Sequence, residues 1–208
     1  MYSPPAYRAD DPVFLRALMR EWSFATLVSH LDGETLITHL PVLVDEGGTG
    51  LGVLSMHMAR ANPHWRHFEA GAEAVVIFSG PHAYVSVNWY EGKQTFPTWN
   101  YGAIHARGPV TLEHDPLALR DLLARTIATY DAPLGGAWRF ADVDEDKVVP
   151  RLGGIVGLRV AIARLDGKLK FNQDKPAADR ARVRHALMQH PATADAARFM
   201  TRLESGGS

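Results

Sequence analysis

The stretch FATLVSHLDGETLITHLPVLV, residues 24–44, decides how the rest of the chain is read. FATLVSH and TLITHLPVLV flank Asp32-Gly33. An Asp-Gly pair between two such runs signals a tight hairpin, because the favoured two-residue turn needs a positive φ at both central positions. Working outward, GLGVLSMHM (50–58) follows the Gly47-Gly48 turn as a third strand candidate. AEAVVIFS (72–79) and AYVSVNWY (83–90), on either side of Gly80-Pro81, are read as two more strands, and WNYGAIHARGPV (99–110) as another. One short helical interruption is expected at residues 62–68. Consecutive short strands separated by turns suggest an antiparallel barrel or sandwich rather than βαβ units.

Helices bracket this β region. Asp11 caps a first helix, Pro12 fits its first position, and Phe14, Leu15, Leu18, Met19 and Trp22 follow a helical spacing. Asp115-Pro116 opens a second helix with Leu119, Leu122, Leu123, Ile127 and Tyr130 on one face, expected to plug one end of the barrel. Residues 144–152 are read as a candidate helix, against which the Pro150 inside it counts. GIVGLRVAIARL (154–165) returns to strand alternation, and two helices split by His190-Pro191 follow from Pro176. Ser205-Gly206-Gly207-Ser208 is expected to fray. The fold class expected is mainly β (α+β), with peripheral helices and a C-terminal helical pair. It is read as one domain over 1–208, with a barrel core over about 23–173 and helices over about 176–204.

Composition narrows the chemistry. A chain of 208 residues buries roughly 70% of its unfolded surface, so a real core is expected. Lys plus Arg number 22 against 23 Asp plus Glu, which argues against disorder and against a wholly basic nucleic-acid coat. The absence of cysteine excludes disulfides, thiolate zinc sites, iron–sulfur clusters and cysteine nucleophiles. Redox chemistry would therefore need a borrowed cofactor. No apolar run is long enough to span a membrane, and MYSPPAYRADDP lacks the basic start and apolar core of a signal peptide, so a cytoplasmic location is expected.

Three segments carry more polar and aromatic residues than strands or turns require. In residues 55–65, SMHMARANPHW, a strand end, Arg60 and a helix start suit a phosphate, because a helix N-terminus presents free N–H groups and arginine adds a bidentate fork. The structural alternative is that Asn62 only caps the helix and Arg60 is a solvated surface residue. In residues 97–105, PTWNYGAIH, Asn100 could read the edge of a heterocycle while Trp99 and Tyr101 supply flat walls, or the group packs as an aromatic corner. In residues 167–174, GKLKFNQD, two lysines on one strand face with Asn172 and Gln173 could meet an anionic cofactor, or form a polar edge that resists strand pairing. A phosphate grip, an aromatic platform and a Lys/Gln strand together are what a flavin nucleotide requires.

The order of these motifs resembles the PaiB family, FMN-binding negative transcriptional regulators with a split β-barrel like that of pyridoxine-phosphate oxidases. The residues carrying the resemblance are Met1–Pro4, Thr38–Pro41, His57–Trp65, Phe78–Ser86, Trp89-Tyr90, Pro97–Tyr101, Gly154–Gly157 and Gly167–Lys170. The chain departs from the family at Asn172-Gln173-Asp174, where members usually read Ser-Gln-Asn, and near Val87, where a proline is usual. The resemblance implies a homodimer with FMN at the subunit interface. It assigns the FMN phosphate to Arg60, helped by His57, Asn62 and the short helix. It lays Thr38, His39 and Leu40 along the isoalloxazine, walls the ring with Trp99, Asn100 and Tyr101, and brings Lys170 and Gln173 to its polar edge or the ribityl chain.

Function is read in more than one way. The first reading is a PaiB-type negative regulator, for which no helix-turn-helix signature is present. Its candidate DNA surface is residues 175–203, with Lys175, Arg180, Arg182, Arg184, Arg198 and Arg202 against Asp179 and Asp195. The second is an FMN-dependent oxidoreductase of the flavin-reductase or pyridoxine-phosphate-oxidase kind, with no catalytic residue identifiable and His39 and His57 as the titratable groups expected near the flavin. Haem handling is a third, without a Cys-x-x-Cys-His site or a distinctive axial histidine. His64 and His67, three apart on the short helix, could share a face toward a metal, but no third ligand is identifiable, and no metal is expected.

Overall fold

Asp32 and Gly33 both take positive φ, 49° and 85°, and close a two-residue turn between Leu31 and Glu34. The computed structural model describes residues 1–47, 50–136 and 138–206. Gly48 of the expected Gly47-Gly48 turn and the last two residues of the expected frayed end lie outside these. In chain order the elements are β1 (Arg8–Ala9), α1 (Pro12–Glu21), β2 (Phe24–Leu31), β3 (Glu34–Pro41), β4 (Leu43–Asp45), β5 (Val53–Ala59), α2 (Trp65–Glu69), β6 (Ala74–Val85), β7 (Thr98–Gly108) and β8 (Val110–Glu113). They continue with α3 (Pro116–Tyr130), α4 (Glu145–Gly153), β9 (Ile155–Ala161), β10 (Arg164–Lys170), α5 (Ala177–Met188) and α6 (Ala194–Glu204). The result is a mixed α+β fold with two antiparallel sheets.

The chain divides into two compact units. One comprises residues 23–77 and 106–164, and its sheet runs in the order β4-β5-β9-β8. The same unit holds the β2–β3 hairpin, and β2 also pairs with the first residues of β6 through Thr26↔Ile77. On β2 the alternation puts Ala25, Leu27 and Ser29 on the buried face. β3 is the outer strand of its sheet, so among the described residues alternate backbone groups on its free side have no ladder partner. Asp115 caps α3 by accepting from the amides of Leu117 and Ala118. Leu119 of α3 packs with Val148 and Leu152 of α4 in one apolar cluster.

The other unit comprises residues 1–22, 78–105 and 165–208. Asp11 caps α1 by accepting from the Val13 amide, and Leu15, Leu18 and Met19 are buried. β1 pairs with β10 through Arg8↔Lys168, and the strand order continues to β7 and β6. α5 and α6 pack together, with a 3₁₀ turn at Pro191–Thr193 between them.

Two readings of the strand region are corrected. Gly80-Pro81 is no turn: β6 runs unbroken from Ala74 to Val85. Gly80 is absent from the glycines of positive φ, and its missing side chain makes room for Trp22, whose ring carbon lies 2.5 Å from where a Cβ would stand. The glycine serves packing rather than chain reversal. The single strand expected over 99–110 is broken instead at Pro109, between β7 and β8.

Candidate functional site

The 55–65 segment folds as the end of β5, a turn, and a late helix start. α2 begins at Trp65 rather than Asn62, with His64 before it in helical conformation. Asn62 still orders the turn: its Oδ1 accepts from the His64 amide at 3.0 Å, and its Nδ2 donates to Thr38 Oγ1 at 3.1 Å. Arg60 is half-buried and turned toward the end of α4. Its Nε donates to the Gly153 carbonyl and its Nη2 to the Ile155 carbonyl, each at 2.9 Å, while its backbone amide donates to Gly154 O at 2.8 Å. A cation on the last carbonyls of a helix is favourably placed. Those oxygens carry only partial charge, and among the described residues no carboxylate pairs with Arg60. His114 Nδ1, 3.5 Å away, is its other polar neighbour.

His57 on β5 stands opposite Gly157 of β9, and burial holds its imidazole below the usual histidine range. On β3, Thr38 is half-buried, while His39 is exposed with Nδ1 3.0 Å from Thr26 Oγ1. The Leu40 side chain is in the core, so its backbone alone can face a ligand. Thus Thr38, Asn62 and Arg60 are joined by hydrogen bonds and the short turn.

His64 and His67, whose spacing allows a shared face toward a metal, use their ring nitrogens within the protein instead. His64 Nδ1 is 2.8 Å from Thr38 Oγ1 and its Nε2 is 2.9 Å from Ser29 Oγ. Ser29 Oγ is in turn 2.8 Å from His67 Nδ1, and His67 Nε2 is 3.5 Å from the Glu34 carboxylate. Burial, then the neighbouring His67, pushes His64 down to about 4. Sequence reasoning missed Ser29 and Glu34 in this cluster. The available signals were a serine on the apolar face of β2 and His64 inside the Asn-Pro-His-Trp motif.

The remaining expected contacts lie in the other unit. The two-residue period of β7 puts Asn100 on the opposite face from Trp99 and Tyr101. Trp99 is 53% exposed and meets His82 and Tyr84, whereas Lys168 lies over the Tyr101 ring. Asn100 is fully buried: its Nδ2 faces Met200 Sδ at 3.6 Å, and its Oδ1 has no partner among the described residues.

Lys170 bonds to Thr98 Oγ1 and sits over the Tyr7 ring. Lys170 and Asn100 share a cavity of about 250 Å³ with Tyr7, Asn172, Asp174 and Lys175. Burial and the Asp174 carboxylate push the Tyr7 hydroxyl up to about 12. Gln173 is not part of this wall. Its amide folds back onto the chain, with Oε1 accepting from the Phe171 amide and Nε2 donating to the Leu169 carbonyl. Asp174, where the chain departs from the family, lines this cavity and pairs with Lys175.

The C-terminal cations are engaged by acids. Lys175 pairs with Asp174, Arg180 and Arg184 both meet Glu204, and Arg182 meets Glu91. Arg198 pairs with Asp195, and Arg202 with Glu21. No described helix is long and apolar enough to cross a membrane.

With this geometry in hand, comparison with known proteins gives consistent relatives. The sequence profile described as "Putative FMN-binding domain" matches residues 1–164. The chain is 33% identical over 187 residues to the protease synthase and sporulation protein PAI 2 of Bacillus subtilis, covering 86% of this chain and 85% of that protein. Among solved structures, it resembles an FAD and heme binding protein from Mycobacterium smegmatis, with a TM-score of 0.62 at 18% identity over 84% of this chain and 78% of the other. A conserved hypothetical protein from Mycobacterium tuberculosis gives a TM-score of 0.60 at 11% identity, covering 85% and 94%. At these identities the two structures speak to the fold alone.

Proposed function

Because the chain belongs to the PaiB family of FMN-binding split-barrel proteins, we propose that it acts as a PaiB-type negative transcriptional regulator, cytoplasmic and homodimeric, with FMN at the subunit interface. FMN is its cofactor. When bound, FMN supplies reversible electron transfer, and the chain's own residues bind and orient it.

The observation that carries the site assignment is Arg60, whose guanidinium is met by carbonyl oxygens and one imidazole but by no described carboxylate. That leaves its charge for the phosphate, with Asn62 and His57 as neighbours. The free side of β3 supports the reading that the backbone of Thr38, His39 and Leu40 follows the ring, since an edge strand offers outward N–H donors. The unpartnered Asn100 Oδ1 beside the Lys170 cavity suits an edge that alternates donors and acceptors. Trp99 and Tyr101 are read as the outer contacts of the ring, and Gln173 as a contact only after its amide leaves its own backbone. The donor set therefore fits FMN.

The test is the visible spectrum of the purified protein, followed by release and identification of the chromophore. A flavin spectrum with FMN released is expected. A colourless protein that fails to take up added FMN overturns the assignment.

One observation favours a second reading, an FMN-dependent oxidoreductase. The cations that would form a DNA-binding face are each paired with an acid, so they offer less uncompensated charge to phosphates than their number suggests. Two measurements separate the readings. A regulator binds operator DNA more tightly than random duplex at moderate salt; a reductase bleaches its flavin on anaerobic mixing with NADH or NADPH.

A further inference from the structure

The cavity that Asn100 of β7 shares with Lys170 of β10 lies within one compact unit. Where the chain leaves β10 it turns at Asn172, whose φ of 65° is a left-handed conformation that asparagine tolerates. Asn172, Asp174 and Lys175 line the same cavity, and so does Tyr7. Asn100 and Asn172 are 0% and 2% exposed, and neither side-chain oxygen has a partner among the described residues. Their amide nitrogens are both engaged. Asn100 Nδ2 faces Met200 Sδ at 3.6 Å, and a thioether has no hydrogen to give, so the nitrogen end is the one turned that way. Asn172 Nδ2 donates to the Tyr90 hydroxyl at 2.5 Å. Met200 and Tyr90 are not among the cavity's walls, so what the two amides have left for it is a pair of carbonyl acceptors.

The charges of the cavity do not balance. Asp174 is answered by Lys175 at 3.0 Å and by the Tyr7 hydroxyl, which donates to it. Lys170 has no carboxylate partner among the described residues; its ammonium donates to Thr98 Oγ1 and lies over the Tyr7 ring. One positive charge therefore lacks a counter-ion beside two carbonyl oxygens that lack donors. An inorganic anion satisfies the first and not the second, and a simple amine does the reverse. A molecule that carries an anionic group and N–H donors together satisfies both. Space selects a small one, since drug-sized ligands take pockets of roughly 300–1,000 Å³ and this cavity holds about 250 Å³. Phe96, 86% exposed, and Pro97 also line it and offer an apolar contact.

We propose that this cavity binds a free α-amino acid with an aliphatic side chain, its carboxylate on Lys170, its ammonium donating to the Asn100 and Asn172 oxygens, and its side chain against Phe96 and Pro97. The zwitterion is neutral overall, so no net charge leaves water, and each of its charged ends meets a group that lacks a partner. No covalent bond is made or broken. That the ligand acts on the flavin rests on the function proposed above, where Lys170 and Asn100 meet the flavin's polar edge; its binding to the chain does not. On that reading the amino acid and the flavin edge contend for the same two groups, and the amino acid is a soluble effector of flavin binding.

The experiment is calorimetric titration of the full chain with L-leucine, once with FMN bound and once with FMN removed. Two fragments of leucine serve as controls: isocaproate, which lacks the ammonium, and isoamylamine, which lacks the carboxylate. The flavin-free chain should bind leucine, and each fragment should bind at least about tenfold more weakly, the loss expected of one charge-assisted hydrogen bond. Lys170→Met should weaken leucine by a similar factor. Nitrogen–proton NMR locates the ligand without any substitution: the side-chain amide signals of Asn100 and Asn172 should shift as leucine is added. Absence of leucine binding to the flavin-free chain, a fragment that binds as tightly as leucine, a K170M protein that holds leucine as wild type does, or amide signals that stay still each overturns the amino-acid site and leaves the FMN assignment untouched. Comparison of the two forms tests the link to the flavin. Leucine held more weakly by the flavin-bound chain supports the shared contacts. Leucine held at least as tightly overturns the placement of the flavin edge at Lys170 and Asn100 and leaves the amino-acid site standing.

Discussion

Arg60 donates to the carbonyls at the end of α4 and, under the proposed function, holds a phosphate, so its replacement has two separable effects. Arg60→Ala should weaken FMN retention by about 1.5–3 kcal/mol through loss of a charge-assisted bond. It should also lower fold stability, because the Gly153 and Ile155 carbonyls lose their donor. Equilibrium dialysis well below the unfolding temperature separates the two, and an R60A protein that keeps FMN as tightly as wild type sinks the phosphate assignment. His64 makes a second residue-level prediction. Burial, then the neighbouring His67, pushes its imidazole from the ordinary value near 6.5 down to about 4 in the folded chain. The unfolded chain therefore binds more protons between those values, and stability falls as pH drops from about 6.5 to about 4, by no more than about 3 kcal/mol in all. His64→Gln removes this titration, so the stability advantage of wild type over H64Q, measured by urea unfolding, should shrink across that window; a constant difference would contradict the assignment. At this scale the sequence exposed Arg60, Asn62 and Thr38 through motif and residue type. It concealed the Ser29–His64–His67 series, because that depends on a diagonal register which no local pattern states.

Elements were legible where local chemistry and tertiary packing agree. Asp11-Pro12, Asp32-Gly33 and Asp115-Pro116 mark boundaries through capping and turn geometry that their own side chains or φ values satisfy. Gly80-Pro81 carries the same local vocabulary for a different reason. On β6 the glycine admits the Trp22 ring, and on β7 Gly102 does likewise, its Cβ position lying 2.6 Å from Trp22. Trp22 thus sets the composition of two strands far from it in sequence, which is invisible to a reading by turns. Gly80→Ala should cost roughly 1–3 kcal/mol by overpacking. Gly33→Ala tests a different cost, since nothing lies within 4 Å of its Cβ position but its φ is positive. Pairing each change with Trp22→Phe distinguishes the causes: the smaller ring should recover part of the loss in G80A and none in G33A. Equal behaviour of the two glycines would mean that Gly80 is a backbone requirement after all.

The whole chain is nearly neutral, and the pairing of its C-terminal arginines shows how that balance is distributed: charge that looks one-sided along residues 175–203 is answered by Glu21, Glu91 and Glu204 from elsewhere in the sequence. Sequence order also hides how the chain is partitioned. The two compact units are each built from separated segments, and the chain passes from one to the other inside β6, after Ile77, and inside β7, after His105. Independent domains are normally joined by exposed linkers, whereas these boundaries fall within strands. The reading of 1–208 as one flavin-binding domain therefore carries a concrete expectation. Urea unfolding followed by far-ultraviolet circular dichroism, by tryptophan fluorescence and by flavin release should give one shared midpoint, as a single cooperative transition requires. Both units hold tryptophans, Trp65 and Trp138 in one and Trp22, Trp89 and Trp99 in the other, so a W65F/W138F variant and a W22F/W89F/W99F variant make the fluorescence signal report on one unit at a time. Midpoints that separate between these variants, beyond any shift of the circular dichroism midpoint caused by the substitutions themselves, would show that the units melt independently and that the single-domain reading fails.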